Sequence, residues 1–147
     1  QELSTLKPAE LVELCLRLGK FKKENKELLT YLLFEAHDEQ GYIQGVKKEI
    51  DELFGEINQS HLYFAKKSLR KFIRVINKYC RYSGSRQTEV ELRIYFCQAL
   101  NDSGIPVFHN TVINNLYQSQ LKKIEAVLDT LHEDLQYDYR RELTDLK

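Results

Sequence analysis

Acidic residues are missing from one stretch of this chain. Residues 66 to 86, KKSLRKFIRVINKYCRYSGSR, hold eight Lys or Arg and no Asp or Glu, although the whole sequence balances 22 charges of each sign. Proline and glycine are scarce, two and six in 147 residues, which leaves too little turn material for an all-β fold. No apolar run approaches the length of a membrane span, and the N-terminus lacks the charged-then-apolar pattern of a signal peptide. Methionine is absent, an initiator included, so the sequence reads as a trimmed chain or a piece of a longer one. Cys15, Cys80 and Cys97 are odd in number, widely spaced and set among apolar residues. That pattern excludes a disulfide framework and predicts small buried hydrophobes in a reducing cytoplasm. Asn58-Gln59-Ser60 and Asn101-Asp102-Ser103 match the glycosylation tripeptide by letter, with no sign of secretion beside them.

Catalytic constellations are also lacking. No phosphate-cradling glycine loop occurs, and no Gly-x-Ser-x-Gly elbow offers a hydrolase nucleophile. Cysteine pairs at zinc spacing are absent, and no helix-turn-helix or RNA-binding sheet signature is present. His37 lies beside Glu35, Asp38 and Glu39, and Asp129 lies one turn before His132; each cluster holds a single His, so both read as helix-end polarity. His61 and His109 fall near expected helix starts without a partner in sequence. Cys80 stands amid Arg74, Lys78 and Arg81, yet its place on the apolar face predicts an inert core thiol. The expectation is a non-enzyme with no catalytic residue, no metal and no cofactor.

What is present is helical periodicity. Apolar content of 42% with 30% charged residues suits a globular protein, and the length suits a single domain, residues 1–147. Pro8 and Glu10 open a first helix with Leu11, Leu14, Cys15 and Leu18 on one face, and Gly19 reads as its stop. A basic connector, Lys20 to Lys23, leads to a second helix over Leu28–Ala36, and Gly41 is expected to end the following loop. Ile43, Val46, Ile50, Phe54 and Ile57 mark a third helix, with Ser60 a candidate cap for the fourth. Ser83-Gly84-Ser85 is the clearest break. Val90, Ile94, Cys97 and Leu100 form a fifth helix that Gly104-Ile105-Pro106 ends. In the last segment Tyr117, Leu121, Ile124, Leu128, Leu131 and Leu135 alternate steps of four and three. That seam packs within the fold or joins two copies as a homodimer. ELLTYLLFEAHDE at 27–39 and ELRIYFCQALNDS at 91–103 share four of thirteen letters, an echo of repeated hairpins. The expected class is all-α, five to six helices in antiparallel hairpins, as a curved stack or an irregular bundle.

Most of the acid-free stretch lies within the fourth helix, about 61–82. At about 100° per residue, Lys67, Arg70, Lys71, Arg74, Lys78 and Arg81 share one arc, and Leu62, Ala65, Leu69, Phe72, Ile73, Ile76, Tyr79 and Cys80 lie opposite. Like charges at i,i+4, such as Lys67 with Lys71, repel by a few tenths of a kcal/mol each, roughly, so the ridge calls for a negative counterpart. One source is internal: Asp129, Glu133, Asp134 and Asp138, or Glu49, Asp51, Glu52 and Glu56. Another is a partner: a protein with an acidic surface, a nucleic acid, or a membrane surface. Tyr63 near the ridge and Tyr82 beyond the helix are placed to stack on bases, and Arg86 extends the positive surface.

The N-terminal third, LSTLKPAELVELCLRLGKFKKENKELLTYLLFEA, resembles the start of an uncharacterised family of small all-helical bacterial proteins of unknown function. The likeness rests on a Leu-periodic first helix, the KKENKE connector and LLTYLLF. It implies an intracellular bacterial helical domain and carries no activity. The functional expectation is a non-catalytic scaffold or interaction module, with nucleic-acid binding by 66–86 and self-association through Tyr117–Leu135 as alternatives.

Overall fold

Helical letters become helices along nearly the whole chain. The structure, a computed structural model, describes residues 2–58 and 60–147. Among them are seven α-helices and no β-strand. They are α1 (Pro8–Phe21), α2 (Lys23–Thr30), α3 (Glu39–Gly55), α4 (Leu62–Ser83), α5 (Arg86–Asp102), α6 (Thr111–Leu128) and α7 (Glu133–Leu146). No helix of the described residues is long and apolar enough to cross a membrane. The chain divides into two compact units, Gln1–Glu39 and Gln40–Lys147.

In the first unit, Pro8 occupies the first turn of α1, and Glu10 accepts the Lys7 backbone N–H at 3.1 Å. Gly19 does not end the helix; α1 runs through it to Phe21. Its role is close approach, because a Cβ there would come within 2.8 Å of Leu29 Cδ1 on α2. Asn25 Nδ2 donates to Leu18 O at 2.8 Å across the same junction, so the basic connector shrinks to Lys22. The expected second helix is divided. α2 passes at Tyr31 into a π turn (Tyr31–Glu35), closed by the Ala36 N–H on Tyr31 O at 2.8 Å. No residue of α1 is buried, and Leu11, Val12, Leu14, Leu16 and Leu18 are all exposed.

The second unit is organised around α5, on which eight residues are buried, Val90, Leu92, Ile94, Phe96, Cys97 and Leu100 among them. A helix buried over most of its circumference belongs in an interior. α4, α6 and α7 all pack on it. α3 adds Tyr42, Ile43, Val46 and Ile50 to the buried set. Phe54 reaches Phe72 of α4 and Phe96 of α5, with ring centroids 5.2 and 5.7 Å apart. Gly41 lies inside α3 and ends no loop, and Ile57 falls beyond the helix.

The count of seven exceeds the expected five to six because the last segment is two helices. α6 stops at Leu128, Thr130 Oγ1 donates to Val127 O at 2.6 Å, and His132 caps α7 by accepting the Asp134 N–H at 3.3 Å. Tyr117, Leu121, Ile124 and Leu128 are buried within this unit, whereas Leu131 and Leu135 follow the break and are half-buried. The Tyr117–Leu135 seam is therefore not one helix, and its first four residues are already occupied. A homodimer built on it as a continuous coiled coil has no helix to run along.

Tyr117 ties this end together. Fully buried, it donates its hydroxyl to Leu146 O at 2.6 Å and accepts from Asn101 Nδ2 at 2.9 Å. Tyr117→Phe keeps the ring and strands a buried carbonyl, so urea denaturation is expected to show a loss of about 1–3 kcal/mol. A variant as stable as the parent would mean that the C-terminal turn is held by apolar contact alone.

Candidate anion-binding interface

The ridge is built by the helix that carries it. α4 is uninterrupted from Leu62 to Ser83 and buries Ala65, Leu69, Phe72, Ile76 and Cys80 at steps of four, three, four and four. With that face anchored, the 3.6-residue period turns the opposite face outward. Lys67, Arg70, Lys71, Arg74 and Arg81 are exposed, and Tyr63, one turn before Lys67, is 69% exposed. From Tyr63 to Arg81 the stripe runs about 27 Å at helical rise. Gly84 ends the helix in the left-handed region, φ 68°, its N–H on Cys80 O at 3.0 Å. Ser85 then caps α5, accepting the Thr88 N–H at 3.2 Å, and Arg86 stands exposed at the first helical position.

Among the described residues, Lys67, Arg70, Lys71, Arg74, Arg81 and Arg86 form no ion pair. The acidic side chains expected to answer them are engaged elsewhere or point to solvent. Asp129 pairs with Arg140 at 2.6 Å, Glu49 accepts the Tyr79 hydroxyl at 2.5 Å, and Asp51 accepts that of Tyr95 at 2.7 Å. Glu133, Asp134 and Asp138 are exposed on α7. Lys78 differs from its neighbours: it is half-buried, its ammonium 5.2 Å from the centre of the Tyr79 ring.

Several expected details are corrected. Tyr82 lies inside α4 and not beyond it, half-buried and edge-on to Tyr79 at 6.2 Å. Leu62, assigned to the apolar back, is 44% exposed in the first turn beside exposed Tyr63 and Phe64. Ser60 is not the cap; His61 holds that position, with no side-chain capping bond. Cys15 is exposed because α1 buries nothing. Cys80 and Cys97 are buried, and burial pushes each thiol up to about 12 against the lowering influence of Arg93. No group of three His, Cys, Asp or Glu among the described residues is placed to hold a metal.

The sequence reading passed over Arg93. It is 4% exposed, with Nε and Nη2 on Glu89 Oε2 at 2.9 and 2.8 Å and Nη1 on Gln120 Oε1 at 2.8 Å. The available signal was the i,i+4 pair of Glu89 with Arg93, set in the otherwise largely apolar stretch EVELRIYFC. Asn77, on α4, and Lys123, on α6, carry no comparable mark in sequence.

No protein-family model, curated protein or solved structure matches this chain. The resemblance of its N-terminal third therefore adds nothing to the functional argument, which rests on geometry.

A thiol-specific reagent is expected to modify Cys15 in the native protein and to reach Cys80 and Cys97 only on unfolding. An unfolded thiol ionises near its ordinary value of 9.0, while the buried pair keep their protons to about 12. The unfolded state thus releases protons first, and the thiol contribution lowers stability as pH rises through that window. Denaturation midpoints of the parent and a Cys80→Ala/Cys97→Ala variant, compared below and above pH 9.0, check this: the parent should fall more steeply.

Proposed function

We propose that this chain is a non-catalytic helical scaffold, its helices paired as hairpins, that docks an acidic surface of another protein on the α4 ridge. The observation that carries the reading is the set of six exposed cations, Lys67, Arg70, Lys71, Arg74, Arg81 and Arg86, which form no ion pair among the described residues. One surface pair contributes only ~0–1 kcal/mol, but an ordered row of like charges steers encounter and sets register. Charge balance favours a local acidic patch over a long polyanion. Outside residues 66–86 the chain keeps fourteen Lys and Arg against 22 acids, a surround that repels an extended phosphate backbone. Nucleic acid stands as the second reading on one observation, the 69% exposed Tyr63 ring in line with the ridge.

The test compares a poly-glutamate peptide with a mixed-sequence single-stranded oligonucleotide on the full chain. The ridge variant is Arg70→Glu/Lys71→Glu/Arg74→Glu, three exposed positions. Peptide binding at low salt, weakened at least tenfold by the variant and by raising ionic strength, is the expected result. Tighter, ridge-dependent oligonucleotide binding would replace the reading with the second one. Undetectable affinity for both at low ionic strength would sink each of them.

A further inference from the structure

At the corner where α4 ends and α5 begins, against α6, lies a cavity of about 640 Å³. That volume is typical of small-molecule sites, roughly 300–1,000 Å³. Its charge is one-sided. Arg81 of α4, Arg86 and Arg93 of α5 and Lys123 of α6 line it, against a single carboxylate, Glu89. Glu89 is held by Arg93, whose side chain is 5% exposed; Arg81, Arg86 and Lys123 make no ion pair among the described residues. The N-terminus of α5 opens at the same corner. Ser85 satisfies the Thr88 and Glu89 amides, leaving those of Arg86 and Gln87 without a partner among the described residues. Such amides, at the positive end of a 17-residue helix, favour an anion.

A second feature comes from α4. Asn77 lines the cavity, and its Oδ1 is the one buried side-chain polar atom without a hydrogen-bond partner among the described residues. An unmatched buried acceptor is costly; Oδ1 is closed to solvent, so a donor on a ligand satisfies it once the Asn77 side chain turns towards the cavity. Ala126 and Val127 supply an apolar wall beside it.

We infer that this cavity binds a phosphate group. Arg81, Arg86, Lys123 and the α5 amides take the phosphate oxygens through charge-assisted bonds, and buried Arg93 fixes the cationic floor. Asn77 and the apolar wall suit a phosphate monoester, whose organic body brings a hydroxyl or amine. The site goes beyond the proposed ridge: Lys123 and Asn77 take no part in docking there.

The experiment is calorimetric titration of the full chain at moderate salt, with inorganic phosphate and adenosine monophosphate as separate probes. Saturable binding is expected, weakened tenfold or more by Lys123→Ala and by Arg81→Ala. Arg70→Ala/Arg74→Ala, on the ridge alone, should bind as the parent does. Tighter binding of the nucleotide, with Asn77→Ser reducing it more than phosphate, places the group on an ester; equal binding places it on free phosphate. Thermal unfolding of each variant confirms that the fold persists, and Lys123 is exposed, so its loss leaves the core intact. Failure of both probes to saturate at millimolar concentration would overturn the assignment. So would parental affinity in Lys123→Ala, or equal loss in the Arg70/Arg74 variant, which would return the binding to the ridge and leave the docking proposal standing.

Discussion

The constraint on which the second unit depends is that α5 is largely enclosed, with only a narrow half-buried polar edge over most of its length. From Gln87 to Cys97 no residue is exposed. Each helix packed on α5 must turn an apolar face inward, and each is thereby committed to a polar face outward. For α4 this leaves one solution. The line from Ala65 to Cys80 goes in, and the cations, which could not be desolvated without partners, come out. The ridge thus follows from the burial of its neighbour, and the repulsion along it is borne by the packing beneath.

Arg93 is the exception that the interior accommodates. A charge so deeply placed is tolerated only when its donors are matched, and here Glu89 and Gln120 match them from α5 and α6. The pairing is local to one helix on the acid side and crosses to another on the amide side. It fixes α6 against α5 at the height where Lys123 and Val127 face the α4–α5 corner. Structural polarity and the cavity are therefore one arrangement: the residues that hold the helices together also set the sign of the space between them.

Much of this was legible. The α4 stripe is read from spacing because its two faces differ so sharply in letter type, and Gly84 is read because only glycine sits easily at φ 68°. The break at residues 129–132 escaped because Leu128, Leu131 and Leu135 keep the four-three rhythm across it. The contrary signal was chemical: Glu133 and Asp134 after His132 are the acids of a first helical turn. Gly19 and Gly41 read as punctuation but lie inside helices, the first for lack of room against Leu29. Cys15 could not be placed by letters, since an apolar neighbourhood in sequence is buried only if something covers it. The cavity was out of reach because Arg81, Arg93 and Lys123 meet only in three dimensions.

The bare surface of α1 bears on how the molecule comes apart. A segment below about 40 residues, without disulfide or metal, buries too little to hold itself firmly. With no buried residue in α1, its amide protons should exchange through local opening, while those at the centre of α5 wait for global unfolding. Limited proteolysis would then trim the N-terminal helices first, and a single unfolding midpoint would report the larger unit alone.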